Sequence, residues 1–194
     1  MARHITIIQG HPDAEGGHLC HTLADSYADA AVAAGHEVRR IDVALIEFPI
    51  LRSQADYQSQ HAPPNLGEAQ EDILWADHLV LVFPLWLGSL PALFKAFLEQ
   101  VLRPGFAFAY DRNNIPKRLL HGRSARVVVT MGMPAWAYRW YFRSHALRAL
   151  EHNILRFVGI KPVRTMLCGL VESASDRTFR GWIKDMAKHG TRGD

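Results

Sequence analysis

Only two cysteines, Cys20 and Cys168, occur in 194 residues, too few and too widely spaced for a disulfide framework or a zinc site. Both are read as reduced thiols. Long apolar runs are also missing: none approaches the roughly 18 to 20 residues that cross a bilayer. Met1-Ala2-Arg3-His4 leads straight into Ile5-Thr6-Ile7-Ile8 without a secretory-signal pattern, so a cytoplasmic location is expected. The 22 Lys and Arg residues exceed the 19 Asp and Glu residues by three but form no polybasic block, which disfavours nucleic acid as a partner. Neither the G-x-G-x-x-G dinucleotide fingerprint nor a Walker A loop is found.

What is present is an ordinary globular composition, 48% hydrophobic and 21% charged, in a length that suits one α/β domain spanning residues 1–194. Short β-rich runs alternate with helical patterns, as in a parallel sheet covered on both faces. Strands are predicted at Ile5–Ile8, Val38–Val43, His78–Phe83, Ala125–Thr130 and Val163–Leu170. The nearly continuous apolar run at 78–83 suits a buried central strand, whereas the polar alternation at 38–43 suits an edge. Helices are expected over 17–34, ending at Gly35, over 65–75 with Asn65 as cap, over 91–102, over 140–157 and over 175–189. Alternating Phe106, Phe108 and Tyr110 suggest a small hairpin before the fourth strand. Right-handed crossovers then give a five-stranded, doubly wound α/β sheet of order 2-1-3-4-5.

In such a sheet a ligand sits beyond the carboxyl ends of the strands, where the order reverses. Three loops qualify. The first, Gln9 to His18, is glycine-rich and opens into a helix whose free N–H groups favour an anion, although a plain glycine-rich turn would read the same. The second, Pro84 to Leu90, offers Trp86 between two leucines as a stacking surface, or as a cover for the sheet end or a subunit contact. The third, Met131 to Tyr138, supplies Gly132 for close backbone approach and then a dense run of aromatics.

On His11-Pro12, Phe83-Pro84-Leu85-Trp86-Leu87, Pro91-Ala92-Leu93-Phe94-Lys95-Ala96-Phe97 and Gly105-Phe106-Ala107-Phe108, the chain resembles the flavodoxin-like NAD(P)H:quinone oxidoreductase family. That family includes mammalian quinone reductases, bacterial modulators of drug activity and ancillary subunits of potassium-efflux systems. The resemblance spans essentially the whole chain. It implies a flavodoxin-like fold, and a flavin held at its phosphate and ribityl chain by His11, Gly17, His18, Leu19 and Cys20. Pro84, Leu85, Trp86 and Leu87 match the loop on one side of the flavin ring, and Thr130, Met131, Gly132 and Met133 the stretch on the other. Gly17-His18 replaces the family's usual Ser or Thr, which implies phosphate contacts made mostly by backbone; Met131 and Met133 replace its second Thr and second Gly.

Tyr138 matches a tyrosine that faces substrate, and His145 is the nearest histidine to complete a catalytic pair; an imidazole with an ordinary pKa near 6.5 suits proton transfer. Arg177 matches an arginine beside the adenine half of FAD, which favours FAD, with FMN as the alternative. The implied reaction takes hydride from NAD(P)H and passes it to a quinone in ping-pong order, in a homodimer. The competing reading is a flavin-binding regulatory subunit of a membrane transporter with little turnover. No metal site is expected: His18, His21 and His11 were weighed, but neighbouring helical positions diverge. Most of the eleven histidines are read as surface residues.

Overall fold

The computed structural model describes residues 1–59 and 61–194. Five parallel strands, β1 (His4–Gln9), β2 (Glu37–Asp42), β3 (His78–Pro84), β6 (Ser124–Thr130) and β7 (Val163–Cys168), form one sheet in the order β2-β1-β3-β6-β7. This is the expected 2-1-3-4-5 arrangement. Between β3 and β6 the chain makes an antiparallel hairpin of β4 (Phe108–Tyr110) and β5 (Pro116–Arg118), the excursion that the alternating aromatics signalled.

Residue alternation divides the apolar side chains between two faces of the sheet. Ile5, Ile7, Val80, Val82 and Val128 pack with Leu23, Ala24 and Tyr27 of α1 (Leu19–Ala33) and Met186 of α8 (Asp176–Arg192). Leu79, Leu81, Phe83, Val127 and Val129 point the other way, toward Ile73 of α3 (Gly67–Trp75) and Phe94 and Phe97 of α4 (Ala92–Val101). Helix α1 ends as predicted at Gly35, whose φ of 83° permits the paired bonds His36 N–H to Ala31 O and Gly35 N–H to Val32 O.

Three local expectations are corrected. Asn65 does not cap α3; it lies inside a 3₁₀ turn, Pro64–Leu66, and its amide donates to the Glu47 carbonyl. The helix expected over 140–157 is broken into α5 (Ala135–Trp140), α6 (His145–Arg148), a π-helical turn (Ala149–Leu155) and α7 (Arg156–Val158). Arg143 and Ser144, both left-handed at φ near 50°, make the break. The last strand stops at Cys168 rather than Leu170, which is itself left-handed. The connection after β2 holds a further short helix, α2 (Gln54–Gln58); among the described residues no helix is long and apolar enough to cross a membrane.

Candidate functional site

The ladder hydrogen bonding of the sheet runs on into the three loops and fixes their roots side by side. Gly10 N–H donates to Val82 O (2.8 Å), Leu85 N–H to Thr130 O (2.8 Å) and Met131 N–H to Cys168 O (2.8 Å). Beyond those roots the first and second loops stay in touch, with the His11 ring lying edge-on to Trp86 at 6.0 Å. The second loop is a tight turn closed by reciprocal bonds between Trp86 and Ser89, with Leu87 (φ 47°) and Gly88 (φ 75°) at its tip. Its tip is apolar and wet: Trp86 is 50% exposed and Leu87 fully so.

The cradle between these loops is open. Gly16 and Gly17 have φ near +78°, and a methyl group built on Gly16, Gly17 or Gly88 would meet nothing within 4 Å. On Gly132 it would meet only Glu172 Oε1, at 3.9 Å. At the start of α1, His18 O already takes the N–H groups of His21 and Thr22, and the N–H groups of Leu19 and Cys20 are the free donors of the first turn.

Three histidines gather at the first loop. His11 stacks on His18 at 4.0 Å, and His21 lies 5.3 Å from His11. Burial, then the neighbouring His18 and His21, lower the His11 pKa to about 4, so its ring is neutral near pH 7. Its Nδ1 accepts the Asp13 N–H at 3.2 Å, which places the ring proton on Nε2. Asp13 is fastened by His18 Nε2 (2.7 Å) and by the Glu15 N–H (2.9 Å); the His18 bond, first among its causes, holds the Asp13 carboxyl below its ordinary range. The imidazoles stack rather than converge, and among the described residues no group of His, Cys, Asp and Glu has metal-binding geometry.

Sequence reasoning had set these rings on divergent positions and most histidines at the surface. The fold buries His11, His36 and His78, while the other eight histidines reach the surface at least in part, His61, His121, His145 and His152 being exposed. The i, i+3 spacing of His18 and His21 at a helix start was the available signal. Also missed were Gln9 and Arg40, which with His21 and Asp42 line a hollow of about 170 Å³ beside the first loop. Within it, Gln9 Nε2 and His21 Nδ1 are buried without a partner. A separate hollow of about 570 Å³ between Leu98, Phe108 and Phe157 shares no residue with the three loops.

The remaining site candidates divide. His11, His18, Leu19, Pro84, Leu85, Trp86, Leu87, Met131, Gly132 and Met133 lie on the cradle or its roots. Cys20 and Thr130 lie beneath it, with Sγ and Oγ1 3.2 Å apart. Burial pushes the Cys20 thiol up to about 11, which makes it inert. Tyr138 is 2% exposed and packed in the core, and its hydroxyl accepts the Leu147 N–H at 3.2 Å. His145 is exposed at the start of α6, on a shallow hollow with Arg148 and His152, and Arg177 is exposed in the first turn of α8. Among the described residues neither hydrogen-bonds to the three loops.

Residues 3–189 match the family described as having a flavodoxin-like fold. The FMN-dependent NADH:quinone oxidoreductase of Nitratidesulfovibrio vulgaris is 32% identical over 183 residues, 84% of this chain and 84% of that one. This chain belongs to the flavodoxin-like NAD(P)H:quinone oxidoreductase family. Another relative, the human ribosyldihydronicotinamide dehydrogenase [quinone], is 30% identical over 139 residues, 66% of this chain and 56% of the human one. Among solved structures, the NAD(P)H:quinone oxidoreductase from Methanothermobacter marburgensis superposes with a TM-score of 0.83 at 21% identity, covering 100% of both chains. An FMN-dependent NADH-azoreductase from Bacillus anthracis, in complex with FMN, gives 0.76 at 16% identity over 97% of both. At those identities the likeness concerns the fold.

A flavin, which this family implies, fits the residues present. The glycines of the first loop leave room for a phosphate near the N–H groups of α1, and an apolar surface stands at Trp86 and Leu87.

Proposed function

We propose that this chain, acting over residues 1–194 as one flavin-binding domain, takes hydride from NAD(P)H and delivers it to a quinone or similar aromatic acceptor in ping-pong order, with FMN as its flavin. The observation that carries the reading is that the roots of three loops lie side by side at the switch point of the sheet, with uncrowded glycines leading into the start of α1. FMN is preferred to FAD because relatives bear it in their names, and because Arg177, the reason for favouring FAD, is solvent-exposed without a partner among the described residues.

A bound flavin supplies the two-electron chemistry that no side chain here performs, accepting hydride and passing it on. The protein's part is placement. Leu19 and Cys20 N–H groups, with the helix dipole, hold the phosphate, while Asp13 stays turned onto His18. Gly132 and Met133 direct backbone N–H groups at the polar edge of the ring. Trp86 and Leu87 exclude water from one side. His11, neutral with its proton on Nε2, offers a hydrogen-bond donor at the junction of the first two loops. Tyr138 is a positioning residue that ties α5 to α6; His145 lies on a separate hollow and would act as a proton donor only to an acceptor that reaches α6. Exposed Trp136, Trp140, Tyr141 and Phe142 beside the cradle favour a homodimer that closes the open side. Two buried thiols suit the reducing cytoplasm.

The test is to release the cofactor from purified protein, weigh it by mass spectrometry, and vary NADH and a benzoquinone together in steady state. FMN and parallel double-reciprocal lines are expected. Failure to take up any flavin on reconstitution, with no NADH or NADPH oxidation, overturns the reading; intersecting lines overturn the ping-pong order alone.

A further inference from the structure

At the opposite edge of the sheet, where β1, β3, β6 and β7 begin, Arg3, His78, Ser124, Arg164, Arg192 and Asp194 line a hollow of about 310 Å³. Three arginines face one carboxylate there. A fourth, Arg126, is buried beneath them and donates through Nε to the Asp194 backbone oxygen (2.7 Å) and through Nη2 to its Oδ1 (3.4 Å). Arg164 also donates to the Asp194 carboxylate, and His189 Nδ1 lies 3.0 Å from it. Arg3 gives one N–H to Gly193 O (2.8 Å), leaving its other guanidinium donors free, and Arg192 has no hydrogen bond among the described residues.

Two polar atoms at this place are buried without a partner. One is Nε2 of His78, a residue 2% exposed whose Nδ1 lies 2.7 Å from Ser124 Oγ. Burial, then the charges of Arg126 and Arg3, lower its pKa to about 3, so the ring is neutral. The other is the Tyr27 hydroxyl, fully buried on α1 and in the field of Arg126, Asp194 and Arg3. Folded proteins rarely leave such buried atoms unpaired.

We propose that this hollow is a binding site for a phosphate group, free or carried by a small ester, remote from the flavin cradle. The opposing charges are the Asp194 side-chain carboxylate, the Asp194 main-chain carboxyl that Arg126 binds, and the C-terminal end of α8, worth roughly half a negative charge. Four guanidiniums outweigh them. The donors arrive from the starts of β1, β3 and β7 and from the end of α8, so they surround a point in three dimensions. That suits a tetrahedral oxyanion better than a planar carboxylate, which one guanidinium fork satisfies. The strands between this edge and the cradle are six or seven residues long, about 20 Å at 3.3 Å per residue, so the two sites do not share a ligand.

The test titrates the purified, flavin-loaded protein with inorganic phosphate by calorimetry at constant ionic strength, and follows the His78 ring nitrogens by NMR. Saturable one-to-one binding that moves the His78 Nε2 resonance is expected. The Arg164→Gln/Arg192→Gln double variant, altered only at exposed side chains, is expected to bind tenfold more weakly or worse, the loss of one charge-assisted bond. Asp194→Asn is expected to tighten binding, and Arg112→Gln in the hairpin turn to leave it unchanged. Glycerol 3-phosphate binding more tightly than the free ion identifies an ester as the ligand; the reverse identifies the ion. Absence of saturable binding overturns the proposal, as does binding that survives the double variant but is lost in Gly17→Val.

Discussion

The contact between α1 and α8 and the loop that leads into α1 employ glycine for opposite purposes. At Gly190 of α8 an added Cβ would lie 2.2 Å from the Tyr27 backbone oxygen and 3.1 Å from Ala31 N, so the two helices touch backbone to backbone. At Gly16 and Gly17 the same atom would meet only open space, and what demands glycine is a left-handed backbone. A crowded glycine reports packing. An uncrowded glycine held at positive φ reports the backbone geometry of a turn, as at Gly35.

Substitution can break that contrast or sharpen it. Gly190→Ala is expected to have the largest effect on stability, about 3 kcal/mol, because the clash is with backbone and only separation of the helices relieves it. The urea midpoint measures this, and flavin affinity per folded molecule is expected to stay unchanged. Gly17→Val reverses the pattern. Its left-handed strain lowers stability by about 1 kcal/mol, while the side chain enters the phosphate seat and weakens flavin binding tenfold or more, read by fluorescence titration. Trp86→Ala is smaller again for the fold, within about 0.5 kcal/mol for a half-exposed residue, with a several-fold fall in NADH oxidation. Equal losses of stability in Gly17→Val and Gly190→Ala would erase the distinction.

The gentlest probe is pH. His11 and His78 have folded pKa values of about 4 and about 3, below the ordinary 6.5, so the unfolded chain takes up protons first. Their contribution to stability is complete above pH 6.5 and is lost progressively as pH falls toward 4. The urea midpoint is expected to fall over that window, and His11→Gln is expected to flatten the slope.

Much of this architecture could be read from residue order. The apolar run at 78–83 and the polar alternation at 38–43 identify centre and edge because burial on two faces or one leaves different periodicities. The three loops follow, since strand order alone dictates where they meet. The break between α5 and α6 was hidden because Arg143 and Ser144 adopt left-handed backbone without a glycine to announce it. The burial of Tyr138 is hidden in the sequence because its hydrogen-bond partner is a backbone N–H nine positions away, which no side-chain pattern encodes. Cys20 meets Thr130 across 110 residues, a contact that only tertiary structure creates. The cluster of His11, His18 and His21 was half visible in its helical spacing, but the neutral ring of His11 follows from burial.

Leu87 has a consequence for anyone wishing to harden this protein. A branched residue in left-handed geometry at a wet turn tip is less comfortable than asparagine or glycine would be, by about 1 kcal/mol. If the proposed function holds, thermal ruggedness and turnover pull against each other at a single position: the swap that relaxes the turn also removes its apolar tip.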